Sequence, residues 1–308
     1  MRKSTEDAIN NLSPGNQVHR IGTEIRRAGA ASTRNPEYYY YVDSNSLGGD
    51  GTSWDTAFST ITEGIAKLNT LDGKGATLFV APGFYIELAG IELTAADCAI
   101  IGNGLNEDTV LFGSGTAGAV AAATADLLTI KGGNNLIDGL SFYNHSASYS
   151  SILFDDTGGG YAGSFNTIKN CFFSPQAQDG VQYCIEFDGG NANTIEGNIF
   201  YGAATAAIYL EGNEGNPVRN IIRNNHFVGT NVGIQVQSAN YNTIVQDNWF
   251  SAGSQSGETM TNAIVIDAAM NAGSITFARN FFEQSAANDI SDSKTGGSVF
   301  EMDNSNGA

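Results

Sequence analysis

Six short segments of this chain carry the residues best placed for chemistry. They read Leu128-Thr129-Ile130, Ile152-Leu153-Phe154, Ile185-Glu186-Phe187, Ile208-Tyr209-Leu210, Ile234-Gln235-Val236 and Ile264-Val265-Ile266. Alternation on a strand sends successive side chains to opposite faces. Aligning the apolar pairs inward therefore leaves Lys131, Asp155, Asp188, Glu211, Gln237 and Asp267 in one outward column. Thr129, Leu153, Glu186, Tyr209, Gln235 and Val265 form a second. In stacked strands, carboxylates one strand apart lie about 5 Å from each other, near the spacing of the two carboxyl groups in a retaining glycosidase. Asp155, Glu186, Asp188 and Glu211 are thus candidate catalytic residues, and Tyr209 is a candidate ring for stacking on a sugar. A lyase would also need a cation to stabilise an enolate, and Lys131 is the one cation in the columns. The alternative is that outward charges keep the body soluble and block lateral strand pairing. Both readings stay open.

The elements that must position these columns announce themselves as a repeat. An Asn-x-Ile phrase, a short polar turn and x-Phe return as Asn135…Phe142, Asn166…Phe173, Asn193…Phe200, Asn220…Phe227, Asn242…Phe250 and, more loosely, Ser274…Phe282. The phenylalanines lie 31, 27, 27, 23 and 32 residues apart, a period that signals a stacked solenoid. Period-two alternation, β-branched residues and Gly/Asn/Asp turns predict two or three short strands per coil. Parallel sheets built this way pile like residues into internal ladders. The recurring asparagine is expected to adopt the left-handed turn conformation and to bond its counterpart one coil away.

The position before each repeat phenylalanine forms another outward column: Ser141, Phe172, Ile199, His226, Trp249 and Phe281. A contiguous apolar stripe on a soluble body marks an interface or a ligand groove. Phe172, Ile199, His226, Trp249 and Phe281 are accordingly expected at an oligomer interface. Cover by the chain's own loops, 143–150 or 251–261, and stacking on a sugar are the alternatives.

Ahead of the repeat, Tyr38-Tyr39-Tyr40-Tyr41-Val42 opens the body as a strand with two rings on each face, at least two of them expected to stay exposed or to meet another subunit. A helix from about Thr60 to Leu71, with Ile61, Ile65 and Leu68 on one face, is expected to close the first coil. The Asn-Thr-Ile-x-x-Asn-x-Phe phrases, Gly49-Asp50-Gly51-Thr52-Ser53-Trp54 and Val80-Ala81-Pro82-Gly83-Phe84-Tyr85 resemble right-handed parallel β-helix proteins of the pectate-lyase-like superfamily over residues 41–302. The resemblance implies an all-β, single-stranded right-handed parallel β-helix with a short amino-terminal capping helix. It is poor for function, since the fold hosts lyases, hydrolases, epimerases and phage spikes. Asp155-Asp156 resembles the paired aspartates of polygalacturonases, but their accompanying Asn-Thr-Asp, Gly-His-Asp and Arg-Ile-Lys motifs are missing, as are the calcium and arginine motifs of pectate lyases.

Charge divides the chain of 308 residues, whose net charge is −18. Residues 1–36 hold Arg2, Lys3, Arg20, Arg26, Arg27 and Arg34 against Glu6, Asp7 and Glu24, hence +3; the rest holds 8 basic and 29 acidic residues, hence −21. An acidic body argues against nucleic-acid binding. The organisation expected is a basic extended arm (1–36), a strand and capping helix (37–75), the β-helix (76–302) and a tail (303–308). Cys98, Cys171 and Cys184 have neither disulfide nor zinc spacing, and His19, His145 and His226 are scattered, so no metal or other cofactor is expected. No apolar h-region or membrane-spanning run occurs, so synthesis in a host cytoplasm without a signal peptide, and no membrane insertion, are expected. The functional expectation is a phage virion structural protein, a capsid decoration, fibre or tail spike component. Its arm, through Arg20, Arg26, Arg27 and Arg34, docks on a capsid or tail protein. Its β-helix self-associates, as a trimer by analogy with related spikes, and faces host polysaccharide. A polysaccharide lyase or glycoside hydrolase using the acidic face is the alternative.

Overall fold

In a computed structural model the chain coils into a parallel solenoid of three sheets. The structure describes residues 38–306 except 88, 104–109, 114–123, 145–147, 158–161, 175–181, 203–204, 213–216, 254–259, 271 and 284–287. Arg20, Arg26, Arg27 and Arg34 of the basic arm lie outside the described residues.

One coil shows the pattern. Thr194–Glu196 belongs to the first sheet, Ile199–Tyr201 to the second and Ala206–Glu211 to the third. Each strand pairs in parallel with its counterparts one coil away, giving sheets of ten, nine and eight strands among the described residues. The inward positions stack like on like. Phe142, Phe173, Phe200, Phe227, Phe250 and Phe282 form a continuous column with ring centroids 4.6–5.3 Å apart. Ile137, Ile168, Ile195, Ile222 and Val245 form another, all buried.

Asparagine fixes both corners of the coil. Entering the first sheet, the backbone N–H groups of Asn135, Asn166 and Asn193 donate to the side-chain oxygens of Asn166, Asn193 and Asn220 at 2.8–2.9 Å. Leaving it, Asn198, Asn225, Asn248 and Asn280 repeat the arrangement toward Asn304 at 3.0–3.1 Å. Buried polar groups are thereby satisfied from rung to rung. The left-handed conformation falls on the residue before each entering asparagine, namely Asn134, Phe165, Ala192, Arg219 and Asn242, and not on the ladder residue itself. Asn242 therefore sits outside the ladder. A register shift between Tyr241 and Thr243 gives the slot to Thr243, buries Val245 and leaves Ile244 exposed. The spacing shows why: eight residues separate Asn242 from Phe250, where the earlier phrases have seven.

The first coil is closed by helix α1 (Ile61–Asn69), started by a capping box between Thr60 and Glu63, with Ile61, Ile65 and Leu68 buried. The outward tyrosines pack on their own chain and stay partly exposed: Tyr41 stacks on Phe79 at 5.7 Å and tilts against Trp54 at 4.7 Å, while Tyr39 stacks on Phe79. At the other end the solenoid runs past residue 302, because Ser305–Asn306 pairs with Phe281–Phe282.

Candidate functional site

The third sheet presents the acidic face. Its register places Asp155 beside Asp188 and Asp188 beside Glu211, while Leu153, Glu186, Tyr209, Gln235 and Val265 follow one another in the neighbouring column. All four candidate carboxylates are half-buried. They do not share one environment.

Glu186 is the perturbed member. Ser150, fully buried, donates its hydroxyl to Glu186 Oε2 at 2.6 Å and its backbone N–H to Asp126 Oδ1 at 2.6 Å, so one serine ties two carboxylates together. Burial raises the Glu186 carboxyl to about 7, the Ser150 hydrogen bond opposes the rise, and Asp126, Glu211 and Asp188 add repulsion. Asp126 is raised as well, chiefly by burial. Burial and mutual repulsion thus favour the protonated form of both carboxyls at this corner. Lys131 does not serve it: its Nζ lies 2.7 Å from Glu92 Oε1 and 3.7 Å from Asp155 Oδ2. Such a face can donate a proton and accept one, but among the described residues it offers no uncommitted cation for a developing anion.

Tyr209 does not present its ring for a sugar. It is 4% exposed and lies flat on Tyr183, centroids 4.1 Å apart and planes 9° apart, within a cluster with Ala206, Val232 and Val265. The second ring was hidden in the sequence because Tyr183 begins its strand two residues before the repeating apolar pair.

The second sheet carries the apolar column. Ser141, Phe172, Ile199, His226, Trp249 and Phe281 align rung by rung. Ser141 is fully buried, Phe172, Ile199 and His226 are half-buried, and Trp249 and Phe281 are 45% and 38% exposed. His226 stacks on Trp249 at 4.4 Å, and burial lowers its pKa, keeping the ring neutral at neutral pH. Trp249 Nε1 donates to Glu283 Oε2 at 3.1 Å. Further exposed apolar residues of this sheet lie on the far side of the buried Ser141. Phe84 and Ile86, exposed at 40% and 42%, lie on the same sheet before the first clear phrase, and Tyr201 and Val228 make a parallel column two residues on. The loops 143–150 and 251–261 that could cover it lie partly outside the described residues.

Among the described residues no three His, Cys, Asp or Glu side chains gather as a metal site, and no helix is long and apolar enough to cross a membrane. Cys98, Cys171 and Cys184 are buried, and desolvation raises all three thiols.

Comparison with known proteins agrees with this architecture. A family model described as the right handed beta helix region matches residues 120–282, more than half of the chain. No curated protein matches. The A-module of the Azotobacter vinelandii mannuronan C-5 epimerase AlgE4 superposes with a TM-score of 0.54 at 15% identity, over 86% of this chain and 76% of its own. An alginate lyase from Paenibacillus sp. superposes with a TM-score of 0.51 at 15% identity, over 79% of this chain and 96% of its own. The tailspike protein of E. coli bacteriophage HK620 gives a TM-score of 0.42 at 14% identity, over 97% of this chain and 63% of its own. At these identities the likeness is one of fold. With asparagine ladders at both corners and the family model spanning its central coils, the chain belongs to the right-handed β-helix family.

Proposed function

We propose that the protein is a structural component of a phage virion, a capsid decoration, fibre or tail spike piece, whose β-helix projects from the particle and engages a host glycan. Residues 1–36 dock on a capsid or tail protein in this reading. The observation that carries it is the aromatic column of the second sheet. The chain outside the arm holds −21, so like-charged copies repel over most of their surface. Phe84, Phe172, Ile199, His226, Trp249 and Phe281 form a face on which they can meet without that repulsion. Aromatic enrichment and charge depletion are the composition of an interface core. Three parallel copies joined there leave the acidic third sheets outward. With Lys131 held by Glu92 and Asp155, such a surface favours a neutral glycan over a polyanionic one.

Light scattering on the full-length protein, with the same sample offered a panel of neutral and acidic polysaccharides, tests this. A mass of three chains, and binding without cleavage, supports the structural reading; a single-chain mass refutes it. A second reading, a polysaccharide hydrolase, is favoured by Glu186, whose carboxyl is raised to about 7 chiefly by burial, on a face where Asp155, Asp188 and Glu211 stand in register. It requires release of reducing ends, lost in Glu186→Gln. Elimination is disfavoured because no uncommitted cation faces these carboxylates among the described residues.

A further inference from the structure

Within the column of Phe172, Ile199, His226, Trp249 and Phe281, the imidazole of His226 is the one side chain that titrates. Ile199 stands beside it one rung before and Trp249 one rung after. The indole lies over the imidazole, centroids 4.4 Å apart and planes 15° apart. Such a ring is an apolar plate while neutral and a cation once protonated. The described residues hold one of its two nitrogens: Nε2 lies 3.1 Å from Ser251 Oγ, whose hydroxyl donates in turn to the Phe227 carbonyl at 3.4 Å. A neutral imidazole has a single N–H and is satisfied there. A protonated ring carries a second N–H at Nδ1, for which no acceptor stands among the described residues.

Two titratable groups lie on the strands packed around it, Tyr201 on the strand before and Glu283 two rungs after. Glu283 favours the cation but is already engaged, since Trp249 Nε1 donates to its Oε2 at 3.1 Å. Burial outweighs it and holds the ring toward the neutral form. A second copy seated on Ile199, Trp249 and Phe281 removes the water to which a protonated Nδ1 would donate and puts an apolar surface in its place. Association there has to expel the proton.

We infer that His226 makes self-association through the second sheet depend on pH: copies join while the imidazole is neutral and separate when it takes up a proton. This rests on the reading of that sheet as the face where copies meet. The proton is bound more weakly in the assembly than in the free chain, so association is at full strength above the free chain's value, which burial sets below the ordinary 6.5. As pH falls further, association weakens by up to about tenfold per pH unit for each histidine buried. The rest of the body pulls the other way. Outside residues 1–36 the charge is −21, and acid neutralises carboxylates, so repulsion between copies falls and contact through any face without His226 strengthens.

The test is sedimentation and light scattering on the full-length chain at about pH 7.5 and about pH 5.5, beside His226→Gln, which does not titrate. The parent should associate at least about tenfold more weakly at the lower pH, and the variant no more weakly there than at the higher. His226→Leu, apolar and without a titrating group, should lose the pH dependence in the same way and stands in for a glutamine variant that folds poorly. Glu283→Gln keeps an acceptor for the Trp249 indole but removes the charge that favours the cation, so it should move the midpoint of dissociation to lower pH. An assembly of equal strength at both pH values, or equal weakening of the parent and both His226 variants, overturns the inference and leaves the assembly standing. A single-chain mass at both pH values overturns the assembly reading itself, and the inference with it.

Discussion

Replacing Glu186 by Gln should stabilise the protein at pH 8 and leave it nearly unchanged at pH 4. The carboxyl stands at about 7 in the folded protein against 4.5 ordinarily, chiefly because it is buried, with Asp126, Glu211 and Asp188 adding to the rise. A carboxyl raised on folding binds its proton more tightly in the native state. Its favourable contribution is therefore fully present below pH 4.5 and is lost as pH rises toward 7. At about 1.4 kcal/mol per unit the ceiling is roughly 3.5 kcal/mol, and partial exposure reduces it to about 2 kcal/mol. Gln keeps the volume, and its amide oxygen still accepts the Ser150 hydroxyl, but it carries no charge to bury. Thermal unfolding of both proteins, scanned at pH 4 and pH 8, should then show a gain of roughly 4 °C for the variant at pH 8 only. An equal shift at both pH values, or a loss at pH 8, would refute the assignment of a proton to Glu186 near neutrality.

Ser150→Ala removes the one hydrogen bond that opposes the rise, so the loss of stability should still begin near pH 4.5 but be complete only at a higher pH than in the parent, read from scans taken across pH 4 to 9. Asn225→Ala should cost about 2–4 kcal/mol in urea unfolding, because it removes the side-chain oxygen that accepts from Asn198 and the side-chain amide that donates to Asn248 Oδ1 and to the Ile195 carbonyl. Asn242→Gly should be neutral or slightly stabilising, since this residue holds a left-handed turn with φ near 59° and no ladder slot; equal costs for the two would contradict the register shift. Phe200→Ala opens the middle of the ring column, 4.9 Å from Phe173 and 4.8 Å from Phe227, and should cost about 3–5 kcal/mol by the same measurement. In the native protein none of the three thiols should react with an aromatic disulfide reagent, whereas all three react after unfolding; a fast native thiol would show that one of them is accessible.

The repeat phrase made the sheets legible because a solenoid contacts only its neighbours. Each rung must satisfy the same local demands as the last, so the sequence repeats them. Alternation within a strand then fixes which side chains face outward. The column of Phe172, Ile199, His226, Trp249 and Phe281 and the pairing of Asp155, Asp188 and Glu211 follow from register alone. A one-residue insertion is visible too, as the longer gap from Asn242 to Phe250, and the register then shows that Val245, and not Ile244, takes the inward slot in line with Ile222.

Sequence alone determined the coil, its ladders and the outward columns, since those depend on period and on the chemistry of Asn, Ile and Phe at fixed offsets. Tertiary structure decided what each outward residue experiences. Burial of Ser150 beneath Glu186, the stacking of Tyr183 on Tyr209, the capture of Lys131 by Glu92 and the cover of Tyr41 by Trp54 all join residues from different rungs or from irregular segments. Their separations of 36, 26, 39 and 13 residues obey no repeat. Proton affinity and ring access depend on how much water each group loses, which is set by everything packed around it and not by its place in the period.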